Sequence, residues 1–110
     1  MELTGNRHEK GVSLKIKGRM DTLTAPEFEK ECTKWMEEGV NHFVLDLGEL
    51  EYISSAGLRS ILLIAKKLKP NNGQICFCSP SEIVAKVFLI SGFSSMFSTY
   101  DSVDEAFHHL

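Results

Sequence analysis

Two adjacent hydroxyls, Ser54 and Ser55, sit in the run Ile53-Ser54-Ser55-Ala56-Gly57-Leu58, between a stretch that reads as a strand and one that reads as a helix. Upstream, Phe43, Val44, Leu45 and Leu47 form an apolar run of strand length broken only by Asp46. Downstream, Leu58, Ile61, Leu62, Ala65 and Leu68 recur at helical spacing, while Arg59, Lys66 and Lys67 point elsewhere. Either serine suits the N-cap, where a side-chain oxygen accepts from a free N–H of the first turn. Exposed hydroxyls at that end of a helix lie where free N–H groups and the dipole stabilise a negative group such as a phosphate. The rival chemistry is nucleophilic catalysis by Ser55. Ser-Ala-Gly at a strand-to-helix turn has the outline of a nucleophile elbow, but Gly-x-Ser-x-Gly is absent and spacing places no His or acid as its partner.

Other reactive side chains offer less. Three cysteines, Cys32, Cys76 and Cys78, are an odd count and argue against a disulfide framework. Cys76 and Cys78 would share one face of a strand, but their spacing is not CxxC, so they read as buried structural thiols. His42, His108 and His109 lack paired spacing with cysteines or carboxylates, and neither a metal nor a cofactor is expected. Asp21 reads as a turn-former, and Trp35 and Phe28 as core.

The elements that must position these residues follow from periodicity and punctuation. Glu2 to His8 reads as a short edge strand and Val12, Leu14 and Ile16 as one face of a second. Glu9-Lys10-Gly11 makes the hairpin turn, with Gly11 available for positive φ, and Gly18-Arg19-Met20-Asp21 leads out of the sheet. Thr24-Ala25-Pro26-Glu27 has the capping-box pattern, with Leu23 and Phe28 as a hydrophobic staple, opening a helix from about Ala25 to Glu38 that Gly39 stops. Lys69-Pro70-Asn71-Asn72-Gly73 ends the next helix, its lysines matched to the negative end of the dipole. Gln74 to Cys78 is a strand. Ser79-Pro80-Ser81-Glu82 repeats the capping box before a helix whose Ile83, Val84, Val87, Phe88 and Ile90 are expected to be largely buried, ended by Gly92. Met96 to Tyr100 reads as a last strand, and Ser102-Val103-Asp104-Glu105 as a third capping box before Ala106, Phe107 and Leu110. The order ββαβαβαβα predicts an α/β fold, with a mixed, mostly parallel sheet of four to five strands and about four helices.

Composition narrows the function. At 110 residues, 43% apolar and 25% charged, the chain suits one ordinary soluble domain with its own core. A net charge of −3 gives nucleic-acid binding no support. No apolar run approaches the ~20 residues that span a bilayer, and the polar start is unlike a signal peptide, so no membrane insertion and cytoplasmic residence are expected.

The run Asp46-Leu47 through Tyr52-Ile53-Ser54-Ser55-Ala56-Gly57-Leu58, preceded by Gly18-Arg19-Met20-Asp21 and set in this element order, resembles the STAS domain of bacterial anti-sigma factor antagonists. The resemblance covers the chain as a single domain, residues 1–110. It implies a partner-switching protein rather than an enzyme: it binds an anti-sigma factor that is also a serine kinase and so releases a sigma factor. The kinase would phosphorylate Ser55, breaking the complex, and a PP2C-type serine phosphatase would restore it. Ser54, the second choice as acceptor, stands where many members have Asp. The resemblance and the loop together place partner binding on Asp21, Ser54, Ser55, Ala56, Gly57, Leu58 and Arg59, with no catalytic residue. The alternative is a STAS module that is never phosphorylated, supporting a transporter or a signalling assembly.

Overall fold

The computed structural model describes residues 1–110, and its sheet is organised around the second strand. β1 (Glu2–Arg7) pairs antiparallel with β2 (Val12–Met20), from Glu2 opposite Lys17 to Arg7 opposite Val12. The hairpin closes with the His8 N–H donating to the Gly11 carbonyl at 2.7 Å. Gly11 does not adopt positive φ; a side chain there would strike the His42 carbonyl, its Cβ falling 2.3 Å from the oxygen. Close approach of two strands, not turn geometry, requires the glycine.

β2 then forks. Its first half pairs in parallel with β3 (His42–Asp46), from Val12 opposite Phe43 to Lys15 opposite Asp46. Its second half pairs in parallel with a separate short strand, β4 (Leu50–Ile53), with a bulge between Gly18 and Arg19. Gly18 takes φ +100 at the fork, a conformation only glycine adopts without strain. Gly18 to Met20 therefore stay in the sheet instead of leaving it. Beyond β3 the order continues with β5 (Gln74–Cys78) and the two-residue β6 (Thr99–Tyr100), both parallel to their neighbours. The sheet thus has six strands, mixed and mostly parallel.

Five α-helices flank it: α1 (Ala25–Glu37), α2 (Ser55–Leu68), α3 (Glu82–Ser91), α4 (Phe93–Met96) and α5 (Val103–His108). On one face Leu14, Phe43, Leu45 and Phe77 meet Phe28 and Cys32 of α1, Ile61 and Ile64 of α2, and Val84 and Phe88 of α3 in a cluster of 21 buried residues. On the other face only Val44, Cys76 and Cys78 meet Ala106 and Phe107 of α5. The first face therefore carries most of the burial that stabilises the fold. Lys10 anchors α5, its ammonium donating to the backbone oxygens of Phe107 at 3.1 Å and Leu110 at 3.2 Å.

Several local expectations give way to tertiary partners. Thr24 makes no side-chain cap on α1, and Leu23 is 86% exposed, so neither capping box nor staple forms. Ser81, not Ser79, caps α3: it accepts from the Val84 N–H and donates to the Leu50 carbonyl, while the Ser79 hydroxyl donates to the Asp101 carbonyl. Ile83 and Ile90 are 61% and 86% exposed, because only the Val84–Phe88 edge of α3 reaches the core. Residues 96–98 are not strand: Met96 ends α4, and the pairing is confined to Thr99 and Tyr100. Cys76 and Cys78 are buried side by side on one strand face, as their spacing predicts.

Candidate functional site

Ser54 ends the β4 run in extended conformation, with φ −94 and ψ 176, and caps α2 by accepting from the Gly57 N–H at 3.4 Å. Its own N–H donates to the Met20 carbonyl at 2.9 Å, continuing the pairing of β4 with β2 into the first residue of the cap. Ser55 is the first helical residue and is exposed. The two hydroxyls, either of which the sequence allowed as the N-cap, are thus separated by role. Ser54 serves the backbone, and Ser55 faces solvent where the N-terminal dipole favours added negative charge. Gly57 is buried, and its backbone lies against Ile53 and Met20.

The turn after β2 lies beside this loop through the Met20–Ser54 bond. Asp21 organises it: its Oδ1 accepts from the Leu23 N–H at 3.0 Å and the Thr24 N–H at 3.2 Å. The Thr24 hydroxyl accepts from the Asp21 N–H and donates to the Arg19 carbonyl. The Thr24 N–H holds the Asp21 carboxyl below its usual range, with the Leu23 N–H, the Thr24 hydroxyl and Arg19 adding to the effect against partial desolvation. The Asp21 side chain thus holds the turn ahead of α1 and not the helix itself, whose N-terminus has no side-chain cap, and Leu23 within that turn is exposed.

Of the seven residues picked out by sequence, the structure gathers Asp21 and Ser54 to Gly57 at the ends of β2 and β4. Arg59 is exposed one turn beyond Ser55, on the same side of α2. Leu58 is half-buried and packs against the core, which makes it a support of the loop. Arg19 and Tyr52 were missed. The Arg19 guanidinium stacks over the Tyr52 ring at 4.3 Å from its centroid, with Nε 3.9 Å from Asp21 Oδ2. Their meeting depends on the β2–β4 pairing, in which Arg19 lies opposite Tyr52. The four histidines belong to other elements: His42 opens β3, His8 stacks on Phe107, and His108 and His109 lie at the end of α5. The site offers an exposed hydroxyl acceptor, a carboxylate fixed in a turn, an exposed leucine and two exposed arginines, Arg19 and Arg59. That set suits recognition and covalent marking.

Comparisons with known proteins agree with this architecture. The STAS domain family matches residues 4–106. BtrV of Bordetella bronchiseptica, named as an anti-sigma factor antagonist, is 38% identical over 106 residues, covering 96% of this chain and 91% of BtrV. Among solved structures, the anti-sigma factor antagonist SpoIIAA in its unphosphorylated form aligns with a TM-score of 0.86 at 18% identity, over 98% of this chain and 95% of that one. The phosphorylated form of the Bacillus protein SpoIIAA aligns with a TM-score of 0.77 at 18% identity, over 98% of both chains. These two likenesses speak for the fold, and the family match and BtrV speak for descent. On that footing the chain belongs to the STAS domain family, among the anti-sigma factor antagonists.

Proposed function

We propose that this protein binds an anti-sigma factor with serine kinase activity, freeing a sigma factor, and that phosphorylation of Ser55 ends the binding until a PP2C-type phosphatase removes the phosphate. Binding falls on the surface formed by Asp21, Ser54 to Ala56 and Arg59, with Leu23 beside it and Gly57 buried under the loop as its support, and takes place in the cytoplasm. One observation carries the reading: Ser54 is consumed as the cap, and the exposed Ser55 is left as the hydroxyl a kinase can reach. BtrV and SpoIIAA, whose names describe anti-sigma factor antagonism, support the same reading.

A phosphate on Ser55 adds about −1.5 to −2 charges. The free domain tolerates this at a helix N-terminus, with solvent on one side and N–H groups on the other. A partner that covers the loop would have to desolvate that charge, at a cost of several kcal/mol, and each ~1.4 kcal/mol is tenfold in affinity. The switch needs no change of fold.

The test is a pull-down from the bacterium that encodes the chain, with a phosphopeptide map of the bait after ATP is added. Recovery of a kinase-like ATPase with phosphate on Ser55 is the expected result. Phosphate on Ser54 would move the acceptor by one residue. Transporter or scaffold proteins and no phosphate would replace the switch by an unphosphorylated STAS module.

A further inference from the structure

Helix α2 carries a charge opposite in sign to the molecule's net, and its cations lack the acidic partners that those of β2 have. The protein carries a net −3, yet the 14 residues of α2 include Arg59, Lys66 and Lys67 and no carboxylate, and Lys69 follows. The neighbouring α1 has Glu27, Glu29, Glu31 and Glu37 against two lysines. Cations elsewhere are largely paired. Arg7, Lys15, Lys17, Arg19 and Lys86 each have an acidic partner, and Lys10 caps α5. Arg59, Lys66, Lys67 and Lys69 take part in none of the five ion pairs.

The dipole accounts for the lysines of the last turn but not for Arg59, which stands in the second turn, where a cation gains nothing from it. Helical geometry puts Ser55, Arg59, Leu62 and Lys66 on one stripe, at i, i+4, i+7 and i+11, with Leu63 at its edge and 39% exposed. The stripe borders a groove of about 480 Å³ between α1 and α2. Its one carboxylate, Glu29, accepts from the buried Ser60 hydroxyl and so is turned toward the helix interface. Lys67 instead faces the acidic side of α1. A groove whose wall is formed by half-buried Leu62 and the partly exposed Leu63, flanked by the unpaired cations Arg59 and Lys66, is complementary to a helix with leucines on one face and carboxylates beside them.

We infer that the α2 stripe from Ser55 through Arg59 and Leu62 to Lys66 seats an acidic amphipathic helix of the anti-sigma partner. The inference rests on the proposed function and adds the chemistry of what binds there. It also gives the phosphate a second effect: a dianion at the head of the stripe repels the incoming carboxylates as well as resisting burial.

The experiment maps amide shifts of the ¹⁵N-labelled full chain with a synthetic Leu/Glu amphipathic peptide about four helical turns long, and with the same peptide carrying Lys for every Glu. The Glu peptide is expected to shift Arg59, Leu62, Leu63 and Lys66, to weaken in high salt, and to lose at least about tenfold in affinity with Arg59→Gln and Lys66→Gln together. Shifts centred elsewhere, equal binding of the Lys peptide, or no shifts overturn the seat. A parallel arm uses the kinase from the pull-down. Binding lost with Ser55→Asp but kept by the double glutamine variant retains the switch and overturns the seat. Binding kept with Ser55→Asp overturns the switch, and the peptide map then decides the seat by itself.

Discussion

Gly57 packs so closely against Ile53 that a Cβ on the glycine would lie 2.7 Å from Ile53 Cγ1, with the Met20 carbonyl oxygen at 3.0 Å. Alanine at a helical position gains about 1 kcal/mol over glycine, but overpacking costs about 1–3 kcal/mol, and here one neighbour is backbone. Gly57→Ala is therefore expected to lose roughly 1 kcal/mol, and Gly57→Val more, read as a lower urea midpoint at unchanged m-value. A midpoint equal to the parent's for Gly57→Ala would mean that the neighbours yield enough for the helix propensity to offset the overpacking.

The two serines should part company under substitution. Ser54→Ala removes the cap and is expected to cost about 0.5–1 kcal/mol, while phosphate incorporation by the cognate kinase continues. Ser55→Ala should leave the urea midpoint where it was and abolish incorporation. Ser55→Asp puts an anion at the helix N-terminus and should hold or raise stability by about 0.3–1 kcal/mol, while failing to bind the kinase. Loss of binding with a parallel loss of stability would point to damage instead of a charge switch.

Acid should erode stability through Asp21 and Glu49. Both carboxyls are held below their usual values, Asp21 first by the Thr24 N–H and Glu49 first by its hydrogen bond from Lys15. A lowered folded-state value gives stability that is present above the unfolded value and lost as pH falls through the folded one, so the decline belongs below about pH 4. Lys15 is raised above its usual 10.5 by the same pair, and its contribution is lost only as the pH climbs past that value. Urea titrations across pH should show a flatter acid limb for Asp21→Asn and, for Lys15→Met, shallower losses at both extremes.

The thiols report on α5. Burial pushes Cys76 up to about 11 and Cys78 up to about 12, and Cys32, on the buried face of α1, higher still. At neutral pH all three should react slowly with a disulfide reagent until the structure opens. Phe107→Ala removes the main cover of the smaller cluster and Lys10→Ala its anchor. Either should speed labelling of Cys76 and Cys78 by roughly tenfold or more and leave Cys32 near its parent rate. Equal acceleration at all three sites would mean that α5 opens only with global unfolding.

Much of this arrangement was legible in the chain. The alternation of Val12, Leu14 and Ile16, the run Phe43–Leu45, a serine cap at 54 or 55 and the glycine stops at 39 and 92 each act within one element and leave their mark there. β4 left none: Leu50 and Ile53 are buried and Glu51 and Tyr52 exposed, a spacing of three that is neither strand alternation nor a helical stripe of useful length. What makes it a strand is the second half of β2. Asp21 holds its turn through the local N–H groups of Leu23 and Thr24, a competing short-range pattern that the capping box obscured, while Ser81 and Ser79 are sorted by contacts to Leu50 and Asp101 that no local pattern contains. The apolar residues of α3 were read as buried because periodicity records a hydrophobic face and not how wide a surface awaits it.

The bond from Ser54 to Met20 makes β2, β4 and α2 one continuous hydrogen-bonded run up to the residue before Ser55. The phosphate proposed for Ser55 would be added just past the end of that run, at a hydroxyl the run does not use. On the proposed switch, any memory in a circuit built on this protein would then have to come from the enzymes that add and remove the phosphate, not from remaking the hydrogen bonds of this run.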